Sequence, residues 1–205
     1  YFQDYLHHGF YPFFLENRNF TENLLKTMNM MTEVDILLIK QIELKYLTKI
    51  KRLFYQLAVE GAKAPNVSQL AEEINTSRAT VMNYIKYLAD ARLINMIYPT
   101  GQEFPKKPSK VMMHNSNLMY AIYPIQIDKQ EVMETFFVNS LWKDHKISQT
   151  GKDHYFIVDG EKKFRICDAQ SPNKVRNNPD IIYARYNTEV GKDNRIPLWL
   201  LGFLY

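Results

Sequence analysis

Ser77, Arg78, Met82, Asn83 and Lys86 recur at helical spacing on the side opposite Val81, Tyr84, Ile85 and Leu88. Guanidinium and ammonium groups suit phosphates and guanine edges, and an asparagine amide matches adenine, so this set has the chemistry of a helix that reads a duplex. Lys106, Lys107 and Lys110 follow in and just after the stretch PTGQEFPKKPS, a second place where phosphates can be met. Over residues 76–115 six Lys/Arg stand against Asp90 and Glu103, a surplus of +4 that equals the formal net charge of the whole chain. The same surface also fits a rigid spacer or a protein-docking face with ordinary solvated charges, because a fold does not by itself settle function.

Other residues offer less. The five histidines, His7, His8, His114, His145 and His154, lack metal-like spacing apart from the adjacent His7-His8 pair, whose rings do not easily converge. Cys167 is the single cysteine, which excludes an internal disulfide and a thiolate zinc site and fits a reducing cytoplasm. No Ser-His-Asp or Cys-His arrangement follows from spacing, and no GxxxxGK[ST] phosphate loop occurs, so these residues are not expected to bind or hydrolyse ATP.

The elements that must position the basic set are legible around it. SQLAEEINTSRATVMNYIKYLADARLI, residues 68–94, has the pattern of two short helices crossing steeply: Leu70, Ala71, Ile74, Val81 and Tyr84 form the crossing, and Asn75 stands where the turn needs a positive φ. Ser68 reads as the first N-cap, and Ser77 or Thr76 as the second. Leu93–Tyr98 and Lys110–His114 read as strands flanking the lysine loop, which makes a winged helix-turn-helix over residues 65–122. Upstream, residues 1–64 are a helical segment whose clearest part is Leu44–Glu60, with Leu47, Ile50, Leu53, Phe54 and Leu57 at spacings of three and four. Aromatic and apolar residues including Phe13, Phe14 and Leu15 crowd the beginning.

Downstream, residues 131–205 read as a mixed-sheet unit. Glu131–Lys143 is the helix, and strands fall near 147–149, 155–158, 163–167 and 181–185. In YFIVDGEKKFRICDA, residues 155–169, Asp159-Gly160 marks a tight hairpin turn. SPNKVRNNPD reads as a loop, and the apolar tail RIPLWLLGFLY must dock. The fold class expected is therefore α+β: N-terminal helices, a winged helix-turn-helix, then a small mixed-sheet module. With 46% apolar and 14% aromatic residues the chain can build a packed core. No apolar run is long enough to span a bilayer, so no membrane partner is expected. The chain opens on Tyr1 rather than Met and reads as part of something longer, with Tyr1-Phe2-Gln3 either native or partly foreign to it.

DYLHHGFYPFFLE, the winged helix, NSNLMYAI, ETFFVNSL and IPLWLLGFLY follow one order, and that order resembles the C-terminal half of a prokaryotic AAA+ ATPase family. The resemblance covers nearly the whole chain. It implies a lid-like remnant over 1–64, the winged helix over 65–122, and a restriction-endonuclease-like, PD-(D/E)XK module over 131–205. It also implies an upstream ATPase domain as a partner, with ATP and Mg belonging to that domain alone, and a homo-oligomer formed through it.

In such modules an Asp on the first hairpin strand and Glu-x-Gly-Gly-Lys on the second hold the metal and help position or activate the attacking water. The matching positions here are Tyr155, Arg165 and Ala169, and Arg165 sets a positive charge where a cation would sit. Asp153 has the right strand parity and Glu134 is an additional acid on the preceding helix, whereas Asp168 points the wrong way. The resemblance therefore implies a nuclease fold without nuclease chemistry, no catalytic or metal-binding residue and no cofactor in these residues, and a cytoplasmic DNA-binding arm. A protein-interaction module docking the ATPase domain or another partner is the alternative.

Overall fold

The computed structural model describes residues 1–12, 19–39, 42–150, 155–170 and 178–203. Phe13, Phe14, Leu15, Asp153, His154, most of the expected loop at 171–177 and the last two tail residues lie outside them.

The chain begins with α1 (Phe2–Asp4) running into a π-type turn, Tyr5–Gly9, and continues with α2 (Phe20–Met31) and a second π-type stretch, Thr32–Ile39. In α3 (Leu44–Glu60) the buried side chains are Leu47, Ile50, Leu53, Phe54 and Leu57, the set the periodicity predicts. Each such burial stabilises by roughly 1.5–3 kcal/mol. Gly61 ends α3 at φ 73, and a Cβ there would meet Glu131 Oε1 at 2.6 Å. A side chain here would be strained by the backbone angle and would displace the Glu131 carboxylate that accepts from Ala62 N–H at 2.8 Å.

α4 (Val67–Glu73) and α5 (Arg78–Asp90) follow. The first N-cap is Asn66, accepting from Gln69 N–H at 3.3 Å, rather than Ser68; the helix starts two residues earlier than expected because the Asn66 amide captures the first free donor. Ser77 caps α5 through Thr80 N–H at 3.1 Å, and Asn75 holds the turn between the helices at φ 50. Leu70, Ala71, Ile74, Val81, Tyr84, Ile85 and Leu88 are all buried between α3, α4, α5 and the sheet.

β1 (Ile94–Pro99) and β2 (Lys110–Met113) form an antiparallel pair, followed by α6 (Ser116–Ile122) and α7 (Lys129–Leu141), capped by Asp128. Then come β3 (Ile147–Gln149), β4 (Phe156–Val158), β5 (Lys162–Asp168), β6 (Ile181–Tyr186), β7 (Arg195–Pro197) and a 3₁₀ turn, Leu198–Phe203. The architecture is mixed α/β, with one sheet in the order β2-β1-β3-β4-β5-β6-β7. β1 belongs to the stretch 65–122 and β3 to the stretch 131–205, and the two lie side by side as parallel neighbours, Tyr98 opposite Ser148 and Pro99 opposite Gln149.

The Asp159-Gly160 turn has φ values of 55 and 77, the positive pair a primed hairpin turn requires. It sets Phe156 against Phe164, and Phe137 on α7 packs on both, with ring centres 5.2 Å away in each case. β7 is the strand the sequence hides: its residues sit inside a nearly continuous apolar tail, and Pro197 is tolerated because the strand is at the sheet edge.

Candidate nucleic-acid interface

α5 presents what its spacing predicts. With Val81, Tyr84, Ile85 and Leu88 turned inward, Ser77, Arg78 and Asn83 are exposed and Met82 and Lys86 half-buried. Lys106 and Lys107 are exposed in the loop between β1 and β2. Among the described residues no ion pair or hydrogen bond engages the side chains of Arg78, Lys106 or Lys107. These three cations stand free to meet an anion.

The other cations of this window are occupied. Lys86 pairs with Asp90 one helical turn on, an exposed pair that a phosphate can displace at small cost. The Arg92 guanidinium lies 4.6 Å from the Trp142 ring centre. Lys110, which the sequence groups with the loop lysines, is the correction. Strand alternation turns it to the opposite face of the sheet, where its Nζ donates to Glu134 Oε2 at 2.7 Å with both side chains under 15% exposed. Gln130 Nε2 donates to the other Glu134 oxygen at 3.0 Å and reaches the Ile166 carbonyl at 2.9 Å. Glu134 is thereby committed to a lysine and an amide.

The hairpin positions come together as a cation–ring contact. Tyr155 and Arg165 share a face, and the guanidinium carbon lies 5.8 Å from the tyrosine ring centre. Ala169 donates its N–H to the Tyr186 carbonyl at 2.9 Å and offers no side-chain chemistry. Asp168 accepts from Gln170 N–H at 2.9 Å and from the Asn187 amide at 3.1 Å, and these bonds lower its pKa. Among the described residues no group of three or more His, Cys, Asp or Glu could hold a metal ion.

The chain belongs to the family described as a domain of unknown function, DUF8612. Its model matches residues 1–129. That span includes α5 and the lysine loop and ends at the start of α7, so the hairpin carrying Tyr155 and Arg165 lies beyond the DUF8612 match. Neither a curated protein nor a solved structure matches the chain. Among the described residues no helix is long and apolar enough to cross a membrane.

Away from α5, sequence reasoning misses a polar clamp at the start of α6. Asn115, Ser116 and Asn117, all at most 5% exposed, open α6. Ser116 Oγ donates to the Leu6 carbonyl at 2.6 Å, Asn117 Nδ2 to the same oxygen at 2.9 Å, and Phe10 N–H to Asn117 Oδ1 at 3.1 Å. His7 stacks on Tyr120 at 3.6 Å between ring centres. Three consecutive polar residues between two apolar runs are the available signal, because such residues are buried only with partners. The clamp ties residues 5–10 onto the helix that follows β2. Next to it, His114 is 3% exposed and its pKa is lowered to about 4, first by burial and then by Arg92.

Proposed function

We propose that this chain binds duplex DNA through α5 and the loop between β1 and β2, as a winged helix-turn-helix, within the non-catalytic C-terminal arm of an AAA+ ATPase. The observation that carries the reading is the exposed, unneutralised state of Arg78, Lys106 and Lys107. The chain reverses between Asp90 and Ile94, and β1 packs back on α5. At about 1.5 Å per helical residue and 3.3 Å per strand residue, α5 and β1 are each about 20 Å long. A strand of that length running back along α5 would bring the lysine loop toward the start of the helix, an arrangement that suits one helix in a groove and a flanking wing on the phosphates.

The module over 131–205 serves in this reading as a nuclease-like partner without a metal site. The ATPase domain, ATP, Mg and the homo-oligomer belong to the upstream region that the resemblance implies, and the arm acts in the cytoplasm on the DNA that domain handles.

Fluorescence anisotropy of a labelled duplex across a salt series tests the proposal. Affinity should fall steeply with salt and weaken in Arg78→Ala/Lys86→Ala, since phosphate contacts release counterions. Absence of binding at the lowest salt would sink it. In the same tubes Mg²⁺ or Mn²⁺ should produce no cleavage of the duplex; cleavage lost on changing Glu134 would restore the nuclease.

A protein-docking role has one observation in its favour. Leu44, Tyr55 and Val59 line the solvent side of α3 at 71%, 47% and 37% exposure, with Met30 and Val34 nearby in sequence at 59% and 44%. Large apolar side chains exposed together on a helix suit a partner surface. Absence of duplex binding at the lowest salt would leave this reading as the account of that surface.

A further inference from the structure

The ladder registers assign every strand residue to one of two faces. On the first, Ile97, Met112, Phe156, Phe164, Ile166 and Ala184 pack against α7. On the second, Ile94, Val111 and Met113 belong to the core beneath α3, α4 and α5. Residues opposite one another in a ladder point the same way, so this second face can be followed across the sheet. Tyr98 leads to Ser148, Ser148 to Ile157, Ile157 to Lys163 and Lys163 to Ile181. One pleat further on, Arg165 stands opposite Tyr183 and Tyr183 opposite Arg195, while Cys167 stands opposite Arg185. The side of the sheet that carries α5 at one end thus carries Lys163, Arg165, Arg185 and Arg195 at the other.

These side chains share one face of neighbouring strands. Burial raises the Cys167 thiol pKa; the charges of Arg185, Arg165 and Arg195 oppose that rise, and the Asp168 carboxylate adds to it. On the same face Arg165 stands two residues from the half-buried Cys167 on β5, Arg185 stands opposite that thiol on β6, and Arg195 lies on β7, one strand further. Arg185 donates to the Ala169 carbonyl and feels the nearby Asp168 carboxylate, while Arg165 rests over Tyr155, a contact that orients its fork without neutralising it. Among the described residues no ion pair holds Lys163, Arg165, Arg185 or Arg195. Partly desolvated cations held this close together repel one another, and an incoming anion relieves the repulsion.

We propose that Lys163, Arg165, Arg185 and Arg195 form a second contact for the nucleic-acid backbone, so that one duplex runs from α5 onto the arginine face of β5–β7. The inference rests on the α5 reading and extends its footprint. Arg165 and Arg195 sit two strand spacings apart, about 10 Å, which spans more than a single phosphate. β1 and β5 are three spacings apart, about 14 Å, and a twist of about 20–25° per strand turns the arginine face relative to α5. An extended polyanion with phosphates on a curved surface reaches both ends. Guanidinium forks bind each phosphate bidentately and carry no base information.

The test is anisotropy of one-turn and two-turn duplexes across a salt series. It compares the full chain with Arg165→Ala/Arg195→Ala, with Lys163→Glu and with Arg78→Ala/Lys86→Ala. Each lost phosphate contact lowers the slope of log K against log salt by about 0.9, so the arginine pair should remove about 1.8 on the two-turn duplex and less on the one-turn duplex. Lys163 is exposed, so its reversal leaves folding intact and should weaken binding to the two-turn duplex even where the arginine pair fails to fold. Wild-type slope and affinity in both sheet variants would overturn the proposal and leave α5 as the sole contact. Loss in the sheet variants with none in the α5 variant would retain the arginine contact and remove the α5 reading. No binding by the wild-type chain at the lowest salt would overturn both.

Discussion

Lys110 Nζ and Glu134 Oε2 meet at 2.7 Å across the face of the sheet that α7 covers, joining β2 to the helix that opens the C-terminal part. The contact removes from the lysine loop its third candidate cation and from α7 its one acid with a plausible metal role. A half-satisfied buried pair costs more than an absent one, since the orphaned charge stays out of water.

Lys110→Met should therefore destabilise the fold by about 3 kcal/mol, and Lys110→Met/Glu134→Leu should recover most of the loss. Urea unfolding measures both. DNA affinity of the folded single variant should match wild type at fixed salt; a drop comparable to that of Arg78→Ala would return Lys110 to the interface.

The turn before α5 makes a sharper prediction. Asn75 holds φ 50 and Ser77 accepts from Thr80 N–H. Asn75→Gly should be near neutral, whereas Asn75→Val should cost about 1–2 kcal/mol because a branched Cβ resists the left-handed region. Ser77→Ala should cost about 1 kcal/mol through loss of the cap. Denaturant midpoints resolve all three.

His114 should make stability depend on pH. Its folded pKa, about 4, lies below the ordinary imidazole value of about 6.5, so the unfolded chain binds the extra proton between those values. Stability is then fully present above the unfolded value and lost as pH falls toward 4, by about 3 kcal/mol at most. His114→Gln should flatten the unfolding free energy across pH 4–6.5. An unchanged slope in that variant would assign the dependence to other groups.

The Asn115–Ser116–Asn117 clamp predicts local behaviour. Ser116→Ala/Asn117→Ala removes three donors or acceptors that hold Leu6 and Phe10. Amide exchange over residues 5–10 should accelerate by tenfold or more, consistent with about 1 kcal/mol per lost bond, while α3 and α5 keep their protection. Acceleration spread evenly over the chain would mean that the clamp stabilises the whole molecule.

What the sequence makes legible follows from where the physics is local. The α3 stripe can be read because one face of a helix meets the core and the other meets water, and its five apolar positions repeat accordingly. Asn75, Ser77 and Asp159-Gly160 are legible because turn and cap chemistry is set within three residues. α7 is a harder case. Its buried set runs through Val132, Met133, Thr135, Phe136, Phe137 and Val138, so no single face stands out and its ends shift by two residues from expectation. The direction of Lys110, the parallel pairing of β1 with β3, and the gathering of Arg165, Arg185 and Arg195 depend on ladders closed between distant segments. Exposure on α5 is legible in the candidate site, and so is the Lys86–Asp90 pair, which stands at i,i+4 on one helix, whereas Glu134 reaches Lys110 only across the folded sheet.

The shared ladder between Tyr98–Pro99 and Ser148–Gln149 has a mechanical meaning. A hinge between the α5 region and the hairpin region would have to shear backbone hydrogen bonds, whereas a bending linker costs little. A torque delivered to residues 5–10 passes through the α6 clamp into β2, and from β2 through the sheet to its far edge. Turning one end against the other therefore strains that short ladder, where a free linker would simply bend.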